Sequence, residues 1–509
     1  MNDTAVTHAA APHALILGLG ETGVAAVRWC VREGVRVTVA DTRAQPAGVQ
    51  AIRALPGAEA VTFALGQSPF DIGLLEGVTQ IVLSPGLAPT APEVNALLAQ
   101  AQAEGIEVVG EIELFARALV RLAEEQEYRP RVLAVTGTNG KTTVTALTRH
   151  MVEAGGLRVR AAGNISPAAL TALIDALDEN DLPDVWVIEL SSFQLETTTS
   201  LVADAAVVLN VTQDHLDWHG DMAAYTRAKA RIYARALVSI VNRDDAAVMA
   251  MVPDAAALTV RSFGRDLPPY VGDLGLETGN GVAWLVACES TEFDDMPAPV
   301  RRKKNAPPPV RAEGRVSRLM PVDAMPLRGL HNATNVLAAL ALGRALDLGW
   351  GPMLRAVREY AGEPHRAQFV RTIQGVDFIN DSKGTNVGAT VAALEGLGQQ
   401  VVLIAGGLGK GQDFSPLKPV VAQHARTVVL IGQDAQLIGD VLASTGVPLV
   451  YADTLDAAVT AAMAAAQAGD AVLLSPACAS MDMFRNYPHR GQSFIDAVSA
   501  LALDHGEIA

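Results

Sequence analysis

Short β-branched and aliphatic runs recur along this 509-residue chain, and most stop at small or polar residues before helical spacing begins. In the first third, residues 13–17 read as a strand entering Gly18-Leu-Gly20-Glu21-Thr22-Gly23, with a helix to about residue 33. Residues 35–41 form the next strand and end on Asp41. Residues 81–83 form another, leading into Ser84-Pro85-Gly86, and residues 108–112 precede a helix ending near residue 127. Tyr128-Arg-Pro130 reads as a linker. The middle third opens with a strand over 132–136, a glycine turn and a helix over 144–152. Buried strands at 185–189 and 205–210 follow, then a helix from 222 to about 236. Gly329-Leu-His331-Asn332-Ala-Thr-Asn335 leads into an Ala/Leu-rich helix, and Tyr360 to Pro364 forms a second linker. Strands near 376–380, 401–405, 427–431, 448–451 and 471–475 make up the last third. Strands alternating with helices, with polar residues gathered at strand ends, predict an α/β fold with parallel sheets whose sites lie at the strands' C-terminal edges.

The length agrees with about three domains. We expect a Rossmann-like domain over 1–128, a central P-loop ATPase-type parallel sheet over 129–362 and a Rossmann-like domain over 363–509. Residues 294–318 interrupt the pattern with Asp-Asp, Arg-Arg-Lys-Lys and Pro-Pro-Pro, and read as a mobile insertion without a catalytic part, whose basic run could also touch an acidic partner. A formal charge of −16 argues against a nucleic-acid partner. The three cysteines, Cys30, Cys288 and Cys478, lie far apart and without metal spacing, which fits a reducing compartment. The first residues lack the pattern of a signal peptide, and no apolar run reaches membrane-spanning length. The expectation is a cytoplasmic monomer acting on small molecules.

The chemistry concentrates at Thr136-Gly137-Thr138-Asn139-Gly140-Lys141-Thr142-Thr143. A strand, a glycine turn and Lys-Thr at a helix start form a phosphate cradle: backbone N–H groups and the helix dipole face the anion. Lys141 is placed on the β- and γ-phosphates of ATP and the Thr142 hydroxyl on Mg²⁺. Val135 stands where the strict P-loop pattern has its first glycine, so the loop is a variant. The plain alternative is a βα turn that needs glycines for packing alone. Gly18-x-Gly20-x-x-Gly23 with Asp41 also satisfies the dinucleotide fingerprint, so an NAD-dependent oxidoreductase is a rival, as is a non-catalytic nucleotide-binding regulator. Glu189 closes an apolar strand and suits a Mg²⁺ ligand. Met222, Tyr225, Lys229 and Ile232 share a helix face, so Lys229 lies in an apolar stripe, either desolvated or snorkelling.

The phosphate loop, Glu189-Leu-Ser191-Ser192-Phe-Gln194, Asn210-x-x-x-Asp-His215-Leu-Asp217, His331-Asn332-x-x-Asn335, Asn380-Asp381-Ser-Lys383, Gly406-Gly-x-Gly-Lys410 and Ser475-Pro-Ala-Cys-Ala-Ser480 occur in one order. Together they resemble the Mur ligases of peptidoglycan synthesis, nearest the D-glutamate-adding branch, over nearly the whole chain. The resemblance implies an ATP-dependent amide ligase that joins D-glutamate to UDP-N-acetylmuramoyl-L-alanine through an acyl phosphate. Folylpolyglutamate-type ligases share the central motifs and remain the near alternative. By resemblance, Lys141, Glu189, His215 and Lys229 are catalytic, and Thr142, Glu189, His215 and a carbamylated Lys229 hold two Mg²⁺ ions. On its own chemistry His215 could equally be a hydrogen-bonding residue, since Mg²⁺ prefers oxygen. Gly137 to Thr143, His331, Asn332, Asn335, Arg366 and Asp381 correspond to the ATP site. Lys383 supplies positive charge there or pairs with Asp381. Glu21, Thr22, Thr42, Arg43, Ser84, Gly86, Asn164, Ser191 and Gln194 correspond to the UDP-substrate site. Thr385, Lys410, Ser480, Met481 and Tyr487 correspond to the D-glutamate pocket. Glutamate ligases usually carry an acid at the position of Leu408, so the neighbour of Lys410 is missing here.

Overall fold

A computed structural model describes residues 12–291 and 310–507. Three sheets follow one another along the chain. The first is parallel throughout, in the order Thr62–Leu65, Arg36–Asp41, His13–Leu17, Gln80–Leu83, Glu107–Val109. The third runs Gln368–Ile373, Val376–Asn380, Ala471–Leu474, Val401–Gly406, Ala425–Ile431, Leu449–Tyr451, with only its first pair antiparallel. The second has nine strands. Its parallel part places Arg131–Thr136 between Val185–Glu189 and Ala203–Val208, with Val159–Gly163 at one edge. Strands such as Val185–Glu189 are buried end to end because helices cover both faces, which is why they read as unbroken apolar runs.

The central sheet extends further than its sequence pattern indicates. Ala236–Asn242, Val260–Phe263 and Leu274–Gly279 continue it, and Val282–Glu289 and Arg315–Pro321 close it as antiparallel strands. The expected insertion over 294–318 is thus too long. Residues 294–309 lie outside the described residues, but Arg315 pairs with Glu289, and Arg311 is buried in an ion pair with Asp273 at 2.5 Å. The helix expected to reach residue 236 is Met222–Ala230 followed by a 3-10 turn, Arg231–Tyr233. It stops because the Tyr233 hydroxyl accepts from the Val208 N–H and donates to the Ile240 carbonyl, which pins the turn to the sheet. His331, Asn332 and Asn335 lie within the helix Leu330–Ala345, not ahead of it.

The first and second sheets meet through helices. Glu21–Arg32 and Glu111–Glu125 both pack on Ala169–Asp178. Carboxylates from the first side receive N–H groups at the start of that helix: Glu21 accepts from Ala168 at 3.2 Å and from the Ser166 hydroxyl at 2.8 Å, and Glu111 accepts from Leu170 at 2.5 Å. Glu111 is fully buried, and its Oε2 has no partner. Burial, with Glu21 nearby, raises its pKa to about 7. Between the ordinary value of 4.5 and about 7, the unfolded chain has released this proton while the folded chain keeps it, so stability falls as pH rises through that window. Glu111→Gln should therefore melt above the parent at pH 8 and alongside it at pH 5 in paired thermal melts. An equal difference at both pH values would disprove the assignment.

Candidate active site

The site forms where three central strands end. Arg131–Thr136 delivers the loop, Val185–Glu189 delivers Glu189, and Ala203–Val208 leads to Asn210. The Asn210 side chain accepts from the Asn139 N–H at 2.8 Å and donates to the Asn139 carbonyl at 3.1 Å, so one side chain fixes the peptides on either side of the Asn139 Cα. Gly140 caps the following helix, Lys141–Ala154, at φ +85°, and a Cβ there would stand 2.5 Å from Asn335 Oδ1. Only glycine meets both conditions. Lys141 Nζ donates to the Gly137 and Thr138 carbonyls, each at 2.9 Å. Burial lowers its pKa, with Glu189 opposing.

Two cavities flank this loop. The larger, about 700 Å³, takes in Lys141, Thr142, Asn164, Glu189, Ser191, His215 and Lys229, and from the third sheet's loops Arg366, Lys383, Thr385, Lys410 and Tyr487. The smaller, about 250 Å³, takes in Thr143, His331, Asn332, Asn335 and Asp381. Asn139, Gly140, Arg366 and Lys383 border both. A nucleotide laid across Gly140 would thus have its nucleoside on the Asn335 side and its phosphates against Lys141.

Inside the larger cavity, Glu189 Oε1 accepts from Asn164 at 2.9 Å, while its buried Oε2 has no partner. Lys229 is 1% exposed, its ammonium 4.6 Å from the Tyr225 ring centroid. Burial, then Lys141, drive its pKa well below the ordinary lysine value, with Asp214 opposing. This excludes the snorkelling alternative, which needs the head group in water. His215 stacks edge-on against Phe193 at 4.7 Å between centroids and lies 3.6 Å from Asp214. Burial lowers its pKa despite Asp214, leaving the ring neutral near pH 7.

The third sheet closes over this floor. Arg366 donates to the Thr142 hydroxyl at 2.5 Å. Asn386 donates to Asn139 at 3.1 Å and to Asp214 at 3.2 Å, while its carbonyl caps the helix Val387–Gly396. Lys383 lies 4.0 Å from the Tyr487 centroid, not in an ion pair with Asp381; burial, with Arg366 and Lys141 adding to it, brings its pKa down to about 8. Asp381 accepts from Ser475 at 2.8 Å, and burial raises it to about 6. Ser480 is buried and Met481 is 65% exposed, and their neighbour Ala479, not either of them, lines the cavity.

Glu21, Thr22, Thr42, Arg43, Ser84 and Gly86 gather at the first sheet's C-terminal edge and do not line the larger cavity. Asp41 is engaged internally: it accepts from the Leu19 N–H at 2.7 Å and from Arg43 at 2.7 and 2.9 Å. Burial works against its charge, yet these donors hold its carboxyl below the ordinary range. The Gly23 Cα approaches so closely that a Cβ would stand 2.1 Å from the Gly18 carbonyl oxygen, so the glycine pattern here already has a packing reason. Gln194 and Ser191 form a capping box on the short helix Ser192–Glu196, which occupies the Gln194 side chain.

Three family models match the chain. They are Mur ligase MurD-like, N-terminal domain, over residues 12–110; Mur ligase middle domain, over 135–271; and Mur ligase, glutamate ligase domain, over 365–478. The chain is 69% identical to UDP-N-acetylmuramoylalanine--D-glutamate ligase of Bordetella avium, with all of both chains covered. The chain belongs to the Mur ligase family. The protein of the same name from Ralstonia nicotianae is 56% identical, covering 98% of each chain. Among solved structures, the UDP-N-acetylmuramate-alanine ligase of Thermotoga maritima is 17% identical with a TM-score of 0.55, covering 96% of this chain and 99% of that one. MurF from Acinetobacter baumannii gives the same identity and score over 82% and 90%. These last two show the shared three-domain α/β fold. Membership makes this Mur ligase an ATP-dependent enzyme and removes the oxidoreductase and regulator alternatives.

Several residues of this Mur ligase's site escape sequence reasoning. Asn386 reads as an ordinary cap, and only the closed arrangement shows that it spans two sheets. Arg490 is 1% exposed and donates to the Ser382 and Cys478 carbonyls at 2.8 and 3.1 Å, tying together two loops that border the site. An arginine on the apolar side of the helix Tyr487–Asp504 marks a position in the sequence but not the loops it joins.

Proposed function

We propose that this chain joins D-glutamate to UDP-N-acetylmuramoyl-L-alanine with hydrolysis of ATP to ADP and phosphate. The end-to-end identity of 69% with ligases of that name carries the reading, and the cavity chemistry agrees with it. The alanyl carboxylate attacks the γ-phosphorus and ADP leaves, giving an acyl phosphate. The D-glutamate amine then attacks the acyl carbon, phosphate departs, and the nitrogen loses its proton. Both halves concentrate negative charge, and Lys141, Arg366, Lys383 and Lys410 face one cavity where that charge would develop. Thr142, Asn335, Arg366 and Asp381 hold ATP, and Thr385, Lys410 and Tyr487 receive the amino acid. The first sheet's edge, with Thr22, Thr42, Arg43 and Gly86, holds the uridine end.

The residues fit Mg²⁺. Glu189 Oε2 is a buried acceptor without a donor, and Thr142, which carries a second oxygen, lines the same cavity. His215 and a carbamylated Lys229 complete the donors for a second ion. Bound there, Mg²⁺ would neutralise phosphate charge. Among the described residues no helix is long and apolar enough to cross a membrane. In this reading the enzyme acts in the cytoplasm, where ATP is supplied, as a monomer.

Phosphate release with ATP, Mg²⁺ and UDP-N-acetylmuramoyl-L-alanine should depend on D-glutamate and stay at background with L-glutamate or L-alanine. Release with another amino acid, or with a pteroyl acceptor, would overturn the substrate assignment.

A further inference from the structure

The loop that carries Lys410 is held from outside. The Lys410 ammonium makes no ion pair among the described residues, so none of them orients it through charge. Its backbone sits at φ +52°, a left-handed conformation uncommon for a residue with a side chain. Leu408, two residues earlier, contributes only backbone: its N–H donates to the Ala479 carbonyl at 2.9 Å and its carbonyl accepts from the Ala479 N–H at 3.0 Å. Between them, the Gly409 N–H donates to Asp434 Oδ2 at 2.6 Å. Asp434 lies in the turn between Ala425–Ile431 and Ala435–Leu442, and its own N–H returns to the Gly407 carbonyl at 3.0 Å. Gln412 Nε2 closes the other side, donating to the Gly409 carbonyl at 3.0 Å.

We propose that Asp434 is a positioning residue for the amino-acid substrate: its carboxylate fixes the Gly409 peptide and so aims Lys410 at the carboxylate of the incoming amino acid. This rests on Lys410 receiving that carboxylate, as stated above. A side-chain acceptor that position 408 does not offer is supplied by a turn 25 residues further along from Gly409. The arrangement is specific in its consequence. Asp434 touches neither cavity, so its loss should loosen one substrate cation and leave the ATP side alone. A charge-assisted hydrogen bond to a peptide N–H is strong enough to hold a loop in one conformation.

The test is steady-state kinetics on the full chain. Asp434→Ala should raise KM for D-glutamate about tenfold, the effect of losing one charge-assisted hydrogen bond, with kcat and KM for ATP within about twofold of the parent. Asp434→Asn, which keeps an oxygen acceptor at the same reach, should recover most of the loss. If the alanine variant fails to fold by circular dichroism, Asp434→Ser, whose hydroxyl is too short to reach Gly409, replaces it. Lys410→Ala in parallel separates the two claims. A raised KM for D-glutamate in Lys410→Ala with no change in Asp434→Ala overturns the role of Asp434. An unchanged KM in Lys410→Ala overturns the placement of the substrate carboxylate at Lys410 itself. Parallel losses in kcat and both KM values would also overturn the proposal, because they report general damage.

Discussion

Lys141→Ala should lower turnover by about a thousandfold or more, with the fold intact. The ammonium of Lys141 lies at the turn that presents Gly140 and the N-terminus of Lys141–Ala154 to the cavity wall. It donates to the Gly137 and Thr138 carbonyls, both loop acceptors at 2.9 Å. These bonds hold the side chain folded over the loop, near where the β- and γ-phosphates would lie. Alanine removes a full charge from a partly enclosed site, where the attraction is screened less than in water. The loss should appear in kcat, because charge on the transferring group and its leaving oxygen grows towards the transition state. Lys141→Arg keeps the charge, but its planar head cannot occupy the same space between the two carbonyls, so it should recover little. Single-turnover phosphate release checks this. A variant that turns over within about tenfold of the parent would show that Lys141 is a loop brace only.

Much of the fold could be read from the chain because its strands are buried on both faces. Residues 132–136, 185–189 and 401–405 stand out as apolar runs for that reason, and polar residues directly after them mark the site edge. Residues 282–288 are an apolar run as continuous as these, but no motif of polar site residues follows them. The strand Arg315–Pro321 gives no such mark, because Arg315, Ser317 and Arg318 break its apolar residues beside a charged stretch. The phosphate loop, Glu189 and Lys229 were legible because a cation or acid in an apolar setting has few structural reasons to be there. Asn386, Asp434 and Arg490 were not. Their roles depend on which loop lies opposite, and that is set by the packing of one sheet against another. The glycines at 18, 20 and 23 show the converse. Their spacing matches a dinucleotide site, yet a helix and strand in contact require at least Gly23, and Asp41 is already bonded to Leu19 and Arg43.

Lys229→Ala and Lys229→Arg should both lose about three orders of magnitude in turnover, which distinguishes a carbamate from a simple cation. The side chain lies on a short helix capped by Asp221 and is held beside Tyr225, whose hydroxyl bonds Thr138 in the phosphate loop at 3.0 Å. Burial, then the nearby Lys141, disfavour its charge and so favour the neutral amine with its free lone pair. Such a nitrogen can attack CO₂, form a C–N bond and release a proton, leaving an anionic carbamate. The step would place an anion in the same cavity as Lys141 and bring two more oxygens to the cavity that Glu189 lines. Arginine keeps a positive charge and cannot form the carbamate, so its failure alongside alanine is the informative result. A small carboxylic acid such as acetate should partly restore the alanine variant, because it can supply oxygens to the space left by the carbamate, and should leave the arginine variant unchanged. Depleting dissolved CO₂ and bicarbonate should slow the parent. Near-parent turnover by Lys229→Arg would instead make Lys229 a buried cation serving Asp214, and the metal donors would then be Glu189, Thr142 and His215 alone.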